Sequence, residues 1–160
     1  MQLTHQTEIQ AKTWDAASQG QDVLGRARTG TGKTISFILP ALQQLLMQQE
    51  QQSLARDTIW MLVLSPTREL AAQIDDEVEK LTHLPKKYNG KQQQVIRHQV
   101  VFGGSSRPKD VAQFERHVPT ILVATPGRLR DHLDNTLVRG KPFASLFQKT
   151  SILVLDETDR

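Results

Sequence analysis

The sequence predicts an α/β layer built on a mostly parallel sheet. Three observations carry that prediction. Short apolar runs alternate along the chain with segments of helical period. The runs are apolar at consecutive positions rather than at every second one, as in strands covered on both faces. A glycine-rich stretch, Ala27-Arg28-Thr29-Gly30-Thr31-Gly32-Lys33-Thr34, sits between the first such run and a long helix. Strand, glycine turn, Gly-Lys-Thr and helix form the setting in which a phosphate-binding loop is expected.

Each element has its own signal. Residues 6–18 read as a helix with Ile9 and Trp14 as its buried positions, ended by Gly20. Residues 21–25 are the first expected strand. Residues 34–49 form a helix in which Ile35, Ile38/Leu39, Leu42 and Leu45/Leu46 recur at three to four residues, with a kink expected at Pro40. Residues 58–64 are a second apolar strand, and Pro66 opens a helix with Leu70, Ile74, Val78 and Leu81 on one face. Residues 83–94 read as a solvated loop. A third strand over 95–102 ends at Gly103-Gly104, and a helix over 107–117 uses Val111 and Phe114. Residues 120–124 are the fourth strand. A short helix over 127–134 uses Leu129 and Leu133. After a connection over 135–149, residues 152–155 form a fifth strand, with Asp156-Glu157 at its end. Right-handed crossovers would place the carboxyl ends of all these strands, and every polar motif, on one edge.

Bulk properties set wide bounds. At 160 residues, 38% of them hydrophobic, the chain is ordinary for one domain, and no run reaches the ~18 apolar residues of a membrane span. The first residues carry no secretory pattern. Cysteine is absent, which removes disulfides and cysteine-ligated zinc. The five histidines have no partners at metal-ligand spacing and read as ordinary. A net charge of +3 permits nucleic-acid binding without arguing for it.

The chemistry lies in the motifs. In a phosphate loop, backbone amides and a helix N-terminus make a concave positive site, and Gly30 and Gly32 allow the tight path. Lys33 supplies a charge for the outer phosphates and Thr34 a hydroxyl for Mg²⁺. The general pattern begins with glycine, where this chain has Ala27. A phosphate loop also needs a carboxylate for Mg²⁺. Asp156 would hold the metal, commonly through water, and Glu157 would orient and deprotonate the attacking water. On the residues alone, Asp156-Glu157 equally ends a strand with no further role.

With both halves present, the chain resembles the DEAD-box RNA helicases over its whole length, specifically their first RecA-like P-loop NTPase domain. The motifs occur in the family's order: Thr7-Glu8-Ile9-Gln10, the loop from Ala27 to Thr34, Pro66-Thr67-Arg68-Glu69-Leu70-Ala71, Gly103-Gly104, Thr125-Pro126-Gly127-Arg128 and Asp156-Glu157-Thr158-Asp159. Alanine at the start of the loop is the family's usual residue. The phrasing is most similar to the fungal and plant mitochondrial subgroup. The resemblance implies that Gln10 reads adenine, since an amide alone offers donor and acceptor together, so ATP and Mg²⁺ are the expected cofactors. It implies catalytic roles for Lys33, Asp156 and Glu157. It also implies sequence-independent RNA contacts from Pro66, Thr67, Arg68, Gly103, Gly104, Thr125, Pro126, Gly127 and Arg128, made to the backbone rather than to bases. Bland alternatives stand beside these: an exposed helix glutamine at position 10, a structural salt bridge at Arg68, a solvated helix arginine at Arg128.

The sequence departs from the family pattern in places. Thr158 replaces the alanine of the signature tetrapeptide, and Gln6 replaces the proline before Thr7. The chain stops at Arg160, before the family's Ser-Ala-Thr motif, the rest of this domain and the second RecA-like domain. The expectation is a C-terminally truncated first domain, 1–160, that unwinds nothing alone and lacks a central strand. The full protein is expected to couple ATP hydrolysis to RNA binding and local duplex unwinding. The competing readings are another P-loop enzyme, such as a kinase or DNA motor, and a non-catalytic RNA- or partner-binding pseudo-helicase.

Overall fold

The computed structural model describes residues 5–28, 30–51, 57–83, 87–88, 91–92 and 96–157. The chain divides into two compact units, Met1–Leu54 and Ala55–Arg160.

The first unit is a helix pair. Helix α1 spans Glu8–Ser18 and α2 spans Lys33–Gln51. Thr7 and Gln10 close a capping box on α1, which fixes where the helix begins. The buried positions of α1 are Gln10 and Thr13, not the expected Ile9 and Trp14, which are half-buried. Pro40 lies inside α2 without ending it. Its missing N–H leaves the carbonyl of Ser36 without its usual helical donor, and the Thr13 hydroxyl donates to that carbonyl at 3.4 Å. The α2 core positions Ile35, Ile38, Leu42 and Leu45 are buried as the periodicity required.

The expected strand over residues 21–25 is not a strand. The segment belongs to no sheet, and Val23 and Leu24 are 43% and 99% exposed. An apolar run becomes a strand only when a ladder satisfies its backbone, and among the described residues this run has no ladder partner.

The second unit holds the sheet. Its elements run β1 (Met61–Leu64), α3 (Arg68–Thr82), the two-residue pair β2 (Lys87–Tyr88) and β3 (Lys91–Gln92), β4 (His98–Val101), α4 (Arg107–Arg116), β5 (Ile121–Ala124), α5 (Pro126–Asn135), the pair β6 (Leu137–Val138) and β7 (Lys141–Pro142), a 3₁₀ turn (Phe143–Phe147) and β8 (Ile152–Leu155). The four long strands are parallel in the order β4-β5-β1-β8. The antiparallel pairs β2–β3 and β6–β7 fall where loops were expected.

The sheet is covered on both faces over its centre. Residues alternate across a strand, so Met61, Val63, Ile121 and Val123 share one face, with Ala71, Ile74 and Val78 of α3 buried beside them. The other face carries Val101, Leu122 and Ala124, clustered with Ile59, Phe114, Leu129 and Phe143. The edge strand β8 departs from this pattern, with Leu153 and Leu155 60% and 55% exposed.

A clip fastens α3 to β4. His98 Nδ1 lies 2.7 Å from Asp75 Oδ1, and that hydrogen bond raises the imidazole above its ordinary value. The folded state therefore holds this proton more tightly than the unfolded chain. The stabilisation is complete below the ordinary histidine value of about 6.5 and is lost as pH rises through the raised folded value. Replacing His98 with alanine should cost about 1 kcal/mol at pH 5.5 to 6, roughly, and progressively less above neutrality. Urea unfolding of both proteins across pH checks this; a cost that grows with pH would reverse the sign.

Candidate functional site

In the first unit the site forms where Gly30 and Gly32 turn the chain into α2. Both glycines have φ of +79°, the left-handed region where a Cβ is strained. Lys33 and Thr34 occupy the first turn of α2, where backbone amides lack helical partners. Both are half-buried. The Thr31 hydroxyl donates to Arg28 O at 2.7 Å, and Ser36 N donates to Gly32 O at 3.2 Å. Ala27 is half-buried and Arg28 exposed, while Thr29 lies outside the described residues.

Gln10 joins this loop to α1. Its Oε1 accepts from Thr7 N at 3.0 Å, and its Nε2 donates to Gly32 O at 3.2 Å. At 8% exposure it is not the solvated helix glutamine of the bland alternative. A Cβ on residue 32 would run into the Gln10 amide, so glycine is needed there for packing as well as conformation. Beside Gln10 lies a cavity of ≈ 230 Å³, lined in part by Gln6, Trp14, Ile35 and Leu39.

In the second unit the strand register builds the site. Leu64 is level with Ala124 and with Leu155, and Val101 with Ala124. The next residues, Ser65, Thr125, Asp156 and Phe102, leave the sheet together. Ser65 N donates to Ala124 O, Thr125 N to Val101 O, and Asp156 N to Leu64 O. The carboxyl edge therefore gathers Pro66-Thr67-Arg68, Gly103-Gly104, Thr125-Pro126-Gly127-Arg128 and Asp156-Glu157. Thr158 and Asp159 lie outside the described residues. Glu157 has φ of +53°, an uncommon conformation for a side chain of its size and a mark of constraint at the strand end.

Three of the four groups interlock. Thr67 caps α3, accepting from Leu70 N at 3.2 Å. Gly103 N donates to Thr125 Oγ1 at 3.4 Å. Gly104 has φ of +88°, and a Cβ there would sit 2.5 Å from Arg68 Nη1, so the Arg68 guanidinium lies against the glycine turn. Arg68 is exposed and makes no ion pair among the described residues, against the structural salt bridge of its bland alternative. The N-termini of α3 and α5 open at this same edge, with Pro126 in the first turn of α5.

Arg128 is not a solvated helix arginine. It is 9% exposed. Its Nε donates to Phe102 O at 3.0 Å, and Nη2 donates to both the carbonyl and the hydroxyl of Ser105. Asp110 lies 3.4 Å away and Asp131 3.6 Å. The fork thus ties the start of α5 to the turn that holds the glycine pair. Behind it, His132 is fully buried, 3.3 Å from Asp110 and 3.0 Å from Thr136, with Phe114 and Phe143 against its ring. Burial is the main cause that lowers its pKa. Leu133, expected in the core, is 39% exposed instead. The buried face of α5 is Arg128, Leu129 and His132. Spacing of four between Arg128 and His132 was the available signal, masked because both residue types usually face water.

Together these features define an α/β protein with a glycine turn at a helix start and a basic, glycine-lined strand edge. A model of the DEAD/DEAH box helicase family matches residues 7–160. The chain is 42% identical over 154 residues to DEAD-box ATP-dependent RNA helicase 26 of Oryza sativa subsp. japonica, covering 96% of this chain and 26% of that protein. It is 38% identical over 157 residues to ATP-dependent RNA helicase DDX55 of Mus musculus, covering 98% and 24%. Among solved structures it resembles the DEAD-box helicase Mss116 bound to ssRNA and UDP-BeF, with a TM-score of 0.77, 31% identity, and coverage of 97% of this chain and 28% of that one. A second Mss116p structure, bound to ssRNA and AMP-PNP, gives a TM-score of 0.79 at 30% identity, over 99% and 29%. The chain belongs to the DEAD/DEAH box helicase family, and it spans about a quarter of the length of the relatives it matches.

The Arg128 fork makes a sharp prediction. Arg128→Ala should cost about 3 kcal/mol or more in urea unfolding, because it strands a buried carboxylate. Arg128→Lys should recover only part, since an ammonium cannot span the same acceptors. A cost within about 0.5 kcal/mol, as for ordinary surface positions, would show that the fork carries no weight.

Proposed function

We propose that this chain is the ATP- and RNA-binding part of a first RecA-like domain, 1–160, in an ATP-dependent RNA helicase that couples hydrolysis to local duplex unwinding. The observation that carries the reading is the strand edge, where Arg68, Gly103-Gly104 and Thr125–Arg128 lock together beside Asp156-Glu157. Such a surface meets phosphates and sugars through helix N-termini, glycine amides and a hydroxyl, without reading bases. Arg68 is its exposed charge. Arg128 serves it by holding the glycine turn. The relatives' names and the RNA in the Mss116 structures support the same reading.

The donor set suits ATP with Mg²⁺. In the first unit Gly30 to Lys33 suit phosphates at the α2 N-terminus and Thr34 offers a hydroxyl; in the second unit Asp156 offers a carboxylate of the kind that holds Mg²⁺. Mg²⁺ keeps several waters and takes few protein ligands. When bound, the ion neutralises charge on the transferred phosphoryl group. Glu157 orients and deprotonates the attacking water. Gln10 reads the adenine from the cavity beside it, with the acceptor and donor that its bonds to Thr7 and Gly32 leave over. Among the described residues no helix is long and apolar enough to cross a membrane.

In the full-length protein carrying this sequence, Lys33→Ala should lower RNA-stimulated ATP hydrolysis at least about a hundredfold while single-stranded RNA still binds. Arg68→Ala should weaken RNA binding and reduce the magnitude of the salt slope by ~0.7, one phosphate contact on a single strand. Fluorescence anisotropy with an oligouridylate and a coupled ATPase assay measure both. Unchanged hydrolysis in Lys33→Ala would overturn the enzymatic reading. Unchanged RNA affinity in Arg68→Ala would remove the strand edge from the RNA site.

A further inference from the structure

Away from the carboxyl edge, the second unit carries a cleft of ≈ 580 Å³. One wall is the last turn of α3, with Glu79, Thr82 and His83, and another is α4, from Lys109 to Arg116. Its floor is four consecutive residues, Ile96, Arg97, His98 and Gln99, entering β4. The helices lie on opposite faces of the sheet: His98 reaches Asp75 of α3, and its neighbour Gln99 reaches Asp110 of α4. The cleft therefore straddles the sheet's edge rather than lying on one face.

That edge is open. β4 pairs with β5 on one side and has no strand on the other among the described residues. Arg97 O accepts from Ile121 N, and Val101 O from Thr125 N. Backbone groups alternate in direction along a strand, so the amides and carbonyls of His98 and Val100 point away from β5. They recur at about 6.6 Å, two residues of extended chain. Edges of this kind are templates for another strand.

The charge around the edge is one-sided. Arg97, Lys109 and Arg116 are exposed and form no ion pair among the described residues. Glu79 is the opposing charge in the lining, and Asp75 is already bound to His98. Gln99 adds an independent sign. It is 3% exposed, its Nε2 donates to Asp110 O, and its Oε1 has no hydrogen-bond partner among the described residues. A buried acceptor without a donor is costly.

We propose that the open edge of β4, between the end of α3 and α4, docks an extended acidic segment of a partner protein that adds a strand to the sheet. Backbone pairing to His98 and Val100 would give affinity, and carboxylates on the segment would meet Arg97, Lys109 and Arg116. A peptide supplies amides, carbonyls and carboxylates at the matching spacing. A nucleic acid meets the charges but has no backbone to continue the sheet.

The test is a fluorescein-labelled peptide of alternating glutamate and valine, titrated by anisotropy against the full-length protein carrying this sequence. Saturable binding is expected, with none for the lysine–valine counterpart. Arg97→Glu combined with Arg116→Glu should weaken it at least about tenfold; if that pair disturbs folding, the double glutamine variant should weaken it less but measurably. In the wild-type chain, NMR hydrogen exchange at the His98 and Val100 amides should slow on binding. Three outcomes would overturn the proposal: no saturable binding, unchanged exchange at those amides, or equal binding of the lysine–valine peptide. Displacement by an oligouridylate with no change in exchange would assign the cations to RNA instead.

Discussion

The second unit depends on a buried arginine. An arginine taken out of water must find acceptors for a planar fork of donors, or its desolvation is uncompensated. Arg128 finds them in the Phe102 and Ser105 carbonyls, the Ser105 hydroxyl and the Asp110 carboxylate. Phe102 and Ser105, two of these three residues, lie in the turn that carries Gly103-Gly104. The third lies on α4 and also faces His132, which Phe114 and Phe143 enclose. One side chain thus connects a helix start, a glycine turn and the aromatic core. Since the turn is short and rich in glycine, it has little packing of its own to hold it. Its conformation is imposed from below, by the core, through the fork.

The first unit uses an amide in a comparable way. Gln10 is at once the third residue of a capping box and a donor to the glycine loop. Its oxygen already accepts from Thr7 N and its nitrogen already donates to Gly32 O, so a ligand that uses the remaining acceptor and donor shares the amide with Thr7 and Gly32. Binding at Gln10 would then be felt at the carbonyl of Gly32, one residue before Lys33. This is a direct physical link between base recognition and the phosphate loop, and it needs no movement of a helix.

Much of this was legible in the sequence. Parallel strands ending in polar motifs follow from consecutive apolar residues and alternating helices, and β1, β4, β5 and β8 all form inside the predicted runs. Misreadings have separate causes. The run over residues 21–25 has the composition of a strand, but ladder pairing is non-local and composition cannot supply it. On α5, counting apolar residues favoured Leu133, whereas burial went to His132 because Asp110, Thr136 and two aromatic rings satisfy it there. The same bias missed Gln10 and Thr13 on α1. In each case a polar side chain is buried because a partner distant in sequence completes its hydrogen bonding. Partners of that kind carry no periodic signal. Motif glycines were legible as turns, but the neighbours that require them, Gln10 against Gly32 and Arg68 against Gly104, were not.

Register explains how one sheet edge can serve two chemistries. All four strands end level, so Phe102, Thr125, Ser65 and Asp156 emerge side by side in the order of the sheet. Neighbouring strands are about 4.8 Å apart, which places the carboxylates after β8 roughly three spacings, about 14 Å, from the glycine turn after β4. That is too far for direct contact between a hydrolysing water and an RNA phosphate. It is near enough for both to rest on one hydrogen-bonded row. Over its centre, where both faces are covered, the sheet does not deform easily. Along that row the Asp156 amide donates to Leu64 O, the Ser65 amide to Ala124 O and the Thr125 amide to Val101 O. Each of these bonds lies at the root of a candidate RNA-binding loop. On the proposed function, the sheet would be the fixed element between the two sites, with the candidate loops above it.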